Sequence, residues 1–208
     1  MKRWVIVPVK RFAAAKSRLA PVVPESRRRG LARALLDHTL RILHGLRGIS
    51  GILVVSRDRT ALAMARKYGA LTVPESKCDG LNRALARATA EAVRRGAESV
   101  LILPTDLPLL SGEDLTRAMR MASLPPFVVL APDRAERGTN LLYMAPPGVV
   151  RFSFGERSFQ RHLQTARRAG VDVAICRRPG LAHDVDRLED LAEIDGLSWE
   201  RRGRKKKN

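Results

Sequence analysis

Three aspartates hold the clearest chemical signal in this chain. Asp106 stands bare in the stretch LPTDLPLL, flanked by Pro104 and Pro108. The preceding run SVLIL reads as a buried strand, and the two prolines forbid a helix from following directly, so Asp106 falls on a stiff turn past a strand end. Two roles suit an aspartate there. Its carboxylate can accept backbone N–H bonds and shape the turn, or it can ligate a metal at the carboxyl edge of an open sheet, where α/β proteins bind ligands. Further along, AHDVDRLEDL carries Asp184 and Asp186. Alternate residues of an extended segment point to the same side, so both carboxylates can address one point. Hard cations such as magnesium take oxygen ligands and share phosphate oxygens, so this pair with a distant third aspartate would make a cation site. Asp186 has a competing role as N-cap of the helix containing LEDLAEI.

Other segments could hold anions. The first apolar run ends in VKRFAAAKSRLAP, where Lys10, Arg11, Lys16 and Arg18 crowd a loop rich in small residues. A loop after the first strand of an α/β unit commonly holds phosphates through backbone N–H groups and lysine or arginine. It contains no GxGxxG and no Walker A sequence, and a solvated basic loop is the alternative. Gly138 and Thr139 stand just before a strand, where a flexible backbone and a hydroxyl can meet an oxyanion. Gly155 and Ser158 fall at the start of a helix, where bare N–H groups form an anion cradle, unless Ser158 or Ser153 serves only as the cap.

The elements that must position these residues alternate. Apolar, β-rich runs at 4–9, 51–56, 70–73, 99–103, 127–131, 140–144 and 171–175 are separated by amphipathic segments, the pattern of a mostly parallel sheet covered by helices. One helix is expected from about Pro24 through Leu46, and another from about Arg57 to Tyr68, ending before Gly69. Leu81, Ala84, Leu85, Ala88, Ala92 and Val93 recur at spacings that place them on one helical face against the sheet.

The 208 residues suit one well-buried domain, expected over residues 1–198, followed by a basic, disordered tail at 199–208. No apolar run approaches the roughly 18–20 residues of a membrane span, and the start MKRWVIVPVKRF is a poor secretory signal, so a soluble, cytoplasmic protein without a membrane partner is expected. Cys78 and Cys176 are isolated and are expected to be reduced thiols. The net charge is +18, and removing the six basic residues from 201 onward still leaves 33 Lys and Arg against 21 acids. Such a charge admits a nucleic-acid binder. Against that, only five Phe, two Tyr and two Trp are present, with no interleaving of aromatic and basic residues. A basic body equally suits a site that collects phosphate-rich small molecules. Nothing in the sequence decides the oligomeric state, and a homodimer is compatible with it.

In order, PVKRFAAAKSRLAP, GLNRAL, LPTDLPLL, RGTNLL, FGERSFQRH and HDVDRLEDL resemble the guanylyltransferases that activate a phosphorylated three-carbon acid for biosynthesis of the deazaflavin coenzyme F-420. The resemblance covers about residues 3 to 195. It implies a Rossmann-like α/β fold of the nucleotide-diphospho-sugar-transferase (GT-A-like) type, a three-layer sandwich. It implies GTP as substrate, Mg2+ as cofactor and phosphoenolpyruvate, 2-phospho-L-lactate or 3-phospho-D-glycerate as acceptor. By the same resemblance Lys16 and Arg18 contact the triphosphate, Asn82 lies near the nucleotide, and Asp106, Asp184 and Asp186 bind magnesium. Lys16, Arg18 and Asp106 would be the catalytic set, with Thr139, Gly155 and Ser158 holding the acceptor. Three departures stand out. Arg137 replaces a frequent glycine, Glu156 and Arg157 replace a Pro-Gly pair, and Arg187 and Leu188 replace Thr-Pro. A related nucleotidyltransferase for molybdopterin or a sugar phosphate is the alternative, although the glycine-rich opening loop of such enzymes is missing.

Overall fold

The alternation of apolar residues becomes burial on two faces. A computed structural model describes residues 1–75, 80–185 and 190. In strand β1 (Arg3–Val9), Val5, Val7 and Val9 enter one apolar cluster while Trp4 and Ile6 enter another, as side chains of period two must when a strand is covered on both sides. The other strands are β2 (Gly51–Ser56), β3 (Leu71–Pro74), β4 (Ser99–Ile102), β5 (Phe127–Pro132), β6 (Thr139–Ala145) and β7 (Asp172–Ile175). They form one sheet in the order β3-β2-β1-β4-β6-β5-β7. All pairings are parallel except those of β6, which runs antiparallel to both β4 and β5.

Helices α1 (Glu25–Gly45), α2 (Arg59–Lys67), α4 (Gly112–Arg120) and the short α6 (Pro179–Ala182) pack residues such as Leu36, Ala61, Leu115 and Leu181 on one face. Helices α3 (Gly80–Arg94) and α5 (Ser158–Arg168) cover the other with Leu85, Ala88, Phe159 and Ala166. The result is the expected three-layer α/β sandwich, and each fully buried Leu or Ile in it contributes about 1.5–3 kcal/mol.

Strand and helix limits lie within a residue or two of those expected. The face of α3 differs. Ala84, Leu85, Ala88 and Ala92 are buried, but Leu81 and Val93 are 39% and 48% exposed. Val93 lies a further 100° round the helix from Ala92, and Leu81 stands in its first turn. Helix α2 is capped by Asp58, whose carboxylate accepts from the Thr60 and Ala61 N–H groups, and it closes at Gly69 with φ +73°. Among the described residues no helix is long and apolar enough to cross a membrane. Cys176 is buried, and that burial pushes its thiol pKa up, while Cys78 and the basic tail lie outside the described residues.

Candidate active site

Strands β1 and β4 lie side by side and parallel, and the chain leaves them in opposite directions across the sheet. Open α/β sheets bind ligands in the crevice that such a reversal creates at the carboxyl ends of the strands. The loops that leave β1 and β4 carry Lys16 and Asp106.

Each loop is anchored locally. After β1, the Ser56 hydroxyl donates to the Val9 carbonyl at 2.7 Å, and the Phe12 N–H donates to Asp58 at 2.8 Å. Phe12 is buried in the core, and Leu19 closes the far end of the loop against Leu31, Leu35 and Val185. Between these anchors Lys16 takes a left-handed conformation, φ 53° and ψ 41°, which costs a non-glycine residue on the order of 1 kcal/mol. Its ammonium reaches to 3.5 Å from Asp106 Oδ2, with the lysine side chain only 8% exposed and the aspartate 30%.

Asp106 does not serve the turn. Its Oδ2 faces Lys16, and its Oδ1 is buried with no hydrogen-bond partner. A buried carboxylate oxygen left unsatisfied costs about 1–3 kcal/mol, so the alternative of a turn-shaping aspartate that accepts N–H bonds is not the one realised. An unpaired carboxylate oxygen is a hard donor of the kind divalent cations take.

Asp184 is brought toward the same place by its neighbour Val185. Val185 is buried with Leu19, Leu31 and Leu35, and its N–H donates to the Asp106 carbonyl at 3.0 Å. The buried valine fits the alternation read from the sequence. Asp184 receives a long hydrogen bond, 3.5 Å, from Asn140 Nδ2, which also donates to the Leu181 carbonyl at 2.9 Å. Asp186 lies outside the described residues, and among those described no cluster of three or more metal-ligating side chains occurs.

Helix α6, which leads into this segment, is seated by close approach. A Cβ added to Gly180 would overlap the Asp114 carboxylate and stand 2.7 Å from the Leu109 carbonyl. Arg178 donates to Asp114 at 2.9 Å and to Glu113 at 3.1 Å, and the Arg134 N–H donates to the Ala182 carbonyl at 3.0 Å.

A second group forms on the α3 and α5 side of the sheet. Because β6 is antiparallel, its first residues stand at the ligand edge. Thr139 and Asn140, adjacent in β6, send their side chains to opposite faces, Asn140 toward α6 and Thr139 toward α5. Thr139 Oγ1 lies 3.0 Å from His162 Nδ1, and the Ser153 N–H donates to His162 Nε2 at 2.8 Å. Burial holds His162 neutral by lowering its pKa to about 4, with the charge of Arg161 acting in the same direction. Asn82 grips the Phe154 backbone with both ends of its amide, donating to the carbonyl at 3.1 Å and accepting the N–H at 2.8 Å. Ser158 is buried in the first turn of α5, and no side chain caps that helix, which removes the alternative of Ser153 or Ser158 as mere caps. Arg157 precedes it in a left-handed conformation, φ 52°, at the position where glycine is expected.

The family described as "Guanylyl transferase CofC like" matches residues 3–198. The chain belongs to this family. It is 42% identical over 195 residues to a phosphoenolpyruvate guanylyltransferase of Rubrobacter xylanophilus, covering 94% of each protein. It is 35% identical over 194 residues to a 2-phospho-L-lactate guanylyltransferase of Methanothermobacter thermautotrophicus, covering 93% of this chain and 84% of that one. A crystal structure of a putative nucleotide-diphospho-sugar transferase from Desulfovibrio desulfuricans superimposes with a TM-score of 0.76 at 19% identity, covering 97% of this chain and 91% of the other. That similarity supports the fold.

Of the residues expected in a guanylyltransferase site, the structure joins Lys16, Asp106 and Asp184 in one group. Asn82, Thr139, Gly155 and Ser158 fall around the Phe154–His162 contact in another. Arg18 is exposed on the same loop as Lys16. Sequence reasoning missed Asn140, His162 and Val185. Val185 was legible as the inward member of the DVD alternation, and His162 as the residue one helical turn after Ser158.

Proposed function

We propose that the protein joins GMP from GTP to the phosphate of a phosphorylated three-carbon acid, releasing pyrophosphate, as a step of coenzyme F-420 biosynthesis. Phosphoenolpyruvate is the leading acceptor because relatives 38–42% identical to this chain carry that name, with 2-phospho-L-lactate, named for a relative at 35%, next. The observation that carries the reading is the unpartnered Asp106 Oδ1 beside Lys16 at the switch point of the sheet.

A phosphate oxygen of the acceptor attacks the α-phosphorus of GTP. The bond from that phosphorus to the oxygen bridging to the β-phosphate breaks, and pyrophosphate leaves with the electron pair. An acceptor phosphate is already anionic near pH 7, so no residue has to remove a proton. The protein's work is to hold two polyanions in line and to neutralise charge as it shifts toward pyrophosphate. Asp106, Asp184 and Asp186 would hold magnesium, which when bound screens the phosphate oxygens and stabilises charge on the transferring group. Lys16 supplies a fixed positive charge at the same place, and Arg18 reaches the triphosphate from the exposed side of its loop. Asn82 ties the nucleotide side to the acceptor side through Phe154. Thr139, Ser158 and the turn at Gly155 receive the acceptor.

Pyrophosphate release should be measured with GTP and Mg2+ in the presence of each of the three acids and of none. Release that depends on one acid is expected, and Asp106→Asn should lower it at least a hundredfold without changing the melting temperature by more than a few degrees. Undiminished turnover by Asp106→Asn at saturating Mg2+ overturns the assignment. Folded wild-type protein that is silent with all three acids would overturn the acceptor class and return attention to the basic surface.

A further inference from the structure

His162 takes no part in the proposed chemistry, yet its ring meets Thr139 of the proposed acceptor subsite and the Ser153–Phe154 segment that leads into Gly155. It is 0% exposed and lies one helical turn beyond Ser158 on α5. The Ser153 N–H can only donate, so Nε2, 2.8 Å away, must present its lone pair. In the neutral ring the proton then sits on Nδ1, which points at Thr139 Oγ1 from 3.0 Å and donates to it. The hydroxyl accepts from the imidazole, so its own hydrogen must turn elsewhere, and among the described residues no protein acceptor receives it. The Phe154 ring packs edge-on against the imidazole, centroids 4.9 Å apart, while Asn82 holds the Phe154 backbone from the other side.

We propose that His162 is a positioning residue of the acceptor subsite. As the Nδ1–H tautomer it turns the Thr139 hydroxyl hydrogen outward, as a donor to an anionic oxygen of the acceptor, and fixes segment 153–155 beside it. This rests on the reading of Thr139, Gly155 and Ser158 as the acceptor subsite. A threonine free to rotate presents either a lone pair or a proton to an incoming anion. A threonine already accepting from a buried imidazole presents the proton, and the anion meets a donor that needs no reorganisation. No proton is transferred, so His162 acts on binding of the acceptor and not on the bond-making step.

The test compares wild type with His162→Phe, His162→Asn, Thr139→Val and the His162→Phe/Thr139→Val pair, using phosphoenolpyruvate, GTP and Mg2+. His162→Phe should raise the acceptor KM on the order of tenfold, with the GTP KM within about twofold of wild type. The double variant should be no worse than the worse single one, because both changes remove the same donor. His162→Asn, which keeps an N–H near the Nδ1 position, should recover part of the loss. An unchanged acceptor KM in His162→Phe, effects that multiply in the double variant, or equal rises in both KM values would overturn the inference. The two failures are distinguishable. If Thr139→Val leaves the acceptor KM unaltered, the subsite reading itself is wrong. If it raises KM while His162→Phe does not, only the role of His162 falls. Should His162→Phe fail to fold, 15N spectra of histidine-labelled wild type decide the matter, because a protonated Nε2 in place of Nδ1–H contradicts the proposal outright.

Discussion

Acidification from pH 7 to pH 5 should remove about 2 kcal/mol of stability through His162 alone, and replacing that residue should abolish the loss. In the fold its pKa is lowered from the ordinary 6.5 to about 4, burial being the main cause and the charge of Arg161 the lesser one. Its other close neighbours, the Thr139 hydroxyl, the Ser153 N–H and the Phe154 ring, carry no charge. Between about pH 4 and 6.5 the unfolded chain therefore binds a proton that the folded protein refuses. Stability is fully present above the unfolded value, falls as the pH drops below it, and levels off near the folded value. At pH 5 the unfolded imidazole is almost wholly protonated and the folded one mostly neutral, which linkage converts to about 2 kcal/mol relative to pH 7. The assay is urea unfolding of wild type and His162→Gln at pH 7, 6 and 5, followed by far-UV circular dichroism. Groups such as His38, whose pKa burial also lowers, and Glu136, lowered by its bond from Arg177, titrate in both proteins and cancel in the difference. The stability advantage of wild type over the variant should shrink by about 2 kcal/mol across the range, on the order of 1 M in urea midpoint. Parallel pH curves would refute the claim that His162 is held neutral by the fold.

Three further changes follow from particular contacts. Asn140→Leu keeps the volume but removes the donor to the Leu181 carbonyl and Asp184, and should raise the Mg2+ concentration needed for half-maximal turnover by tenfold or more; an unchanged Mg2+ titration refutes that role. Gly180→Ala forces a methyl against the Asp114 carboxylate and the Leu109 carbonyl, so a loss of about 2–3 kcal/mol and a fall in Tm of roughly 5–10 °C are expected by calorimetry. Arg157→Gly relieves a left-handed side chain and should raise Tm by a few degrees, whereas a lower Tm would mean that the arginine makes contacts worth more than the strain.

The candidate site residues were legible because their types stand out in their local setting. An acid between two prolines after an apolar run, a lysine in a stretch of small residues, and two aspartates with a valine between them each stand out, although each also has an ordinary structural reading as turn, solvated loop or helix cap. The supporting residues were hidden for the opposite reason. An asparagine at the start of a strand, a histidine inside a helix and a buried valine are unremarkable until it is known which elements become neighbours. Asn140 supports Asp184 only because α6 docks beside β6, and His162 reaches Thr139 only because α5 covers that end of the same strand. The exposed Leu81 and Val93 show the same limit on α3, where helical spacing alone assigned them to the buried face.

The direction of β6 decides more of the site than any single residue. The alternation of strands and helices implies a mostly parallel sheet, and period-two patterning is blind to which way a strand runs. Strand β6 has seven residues, which at about 3.3 Å each span roughly 20 Å. Had it run parallel to β4, Thr139 and Asn140 would stand at the opposite edge of the sheet, that far from Asp106. Running antiparallel, with Ile102 paired to Leu142, it brings its first two residues level with the turn that follows β4. Pleating then sends Asn140 toward Asp184 and Thr139 toward α5, so one reversed strand places a residue in each half of the candidate site. Under the proposed assignment, a strand that serves both halves makes the distance between the aspartates and the acceptor subsite a property of the sheet, fixed before either ligand arrives.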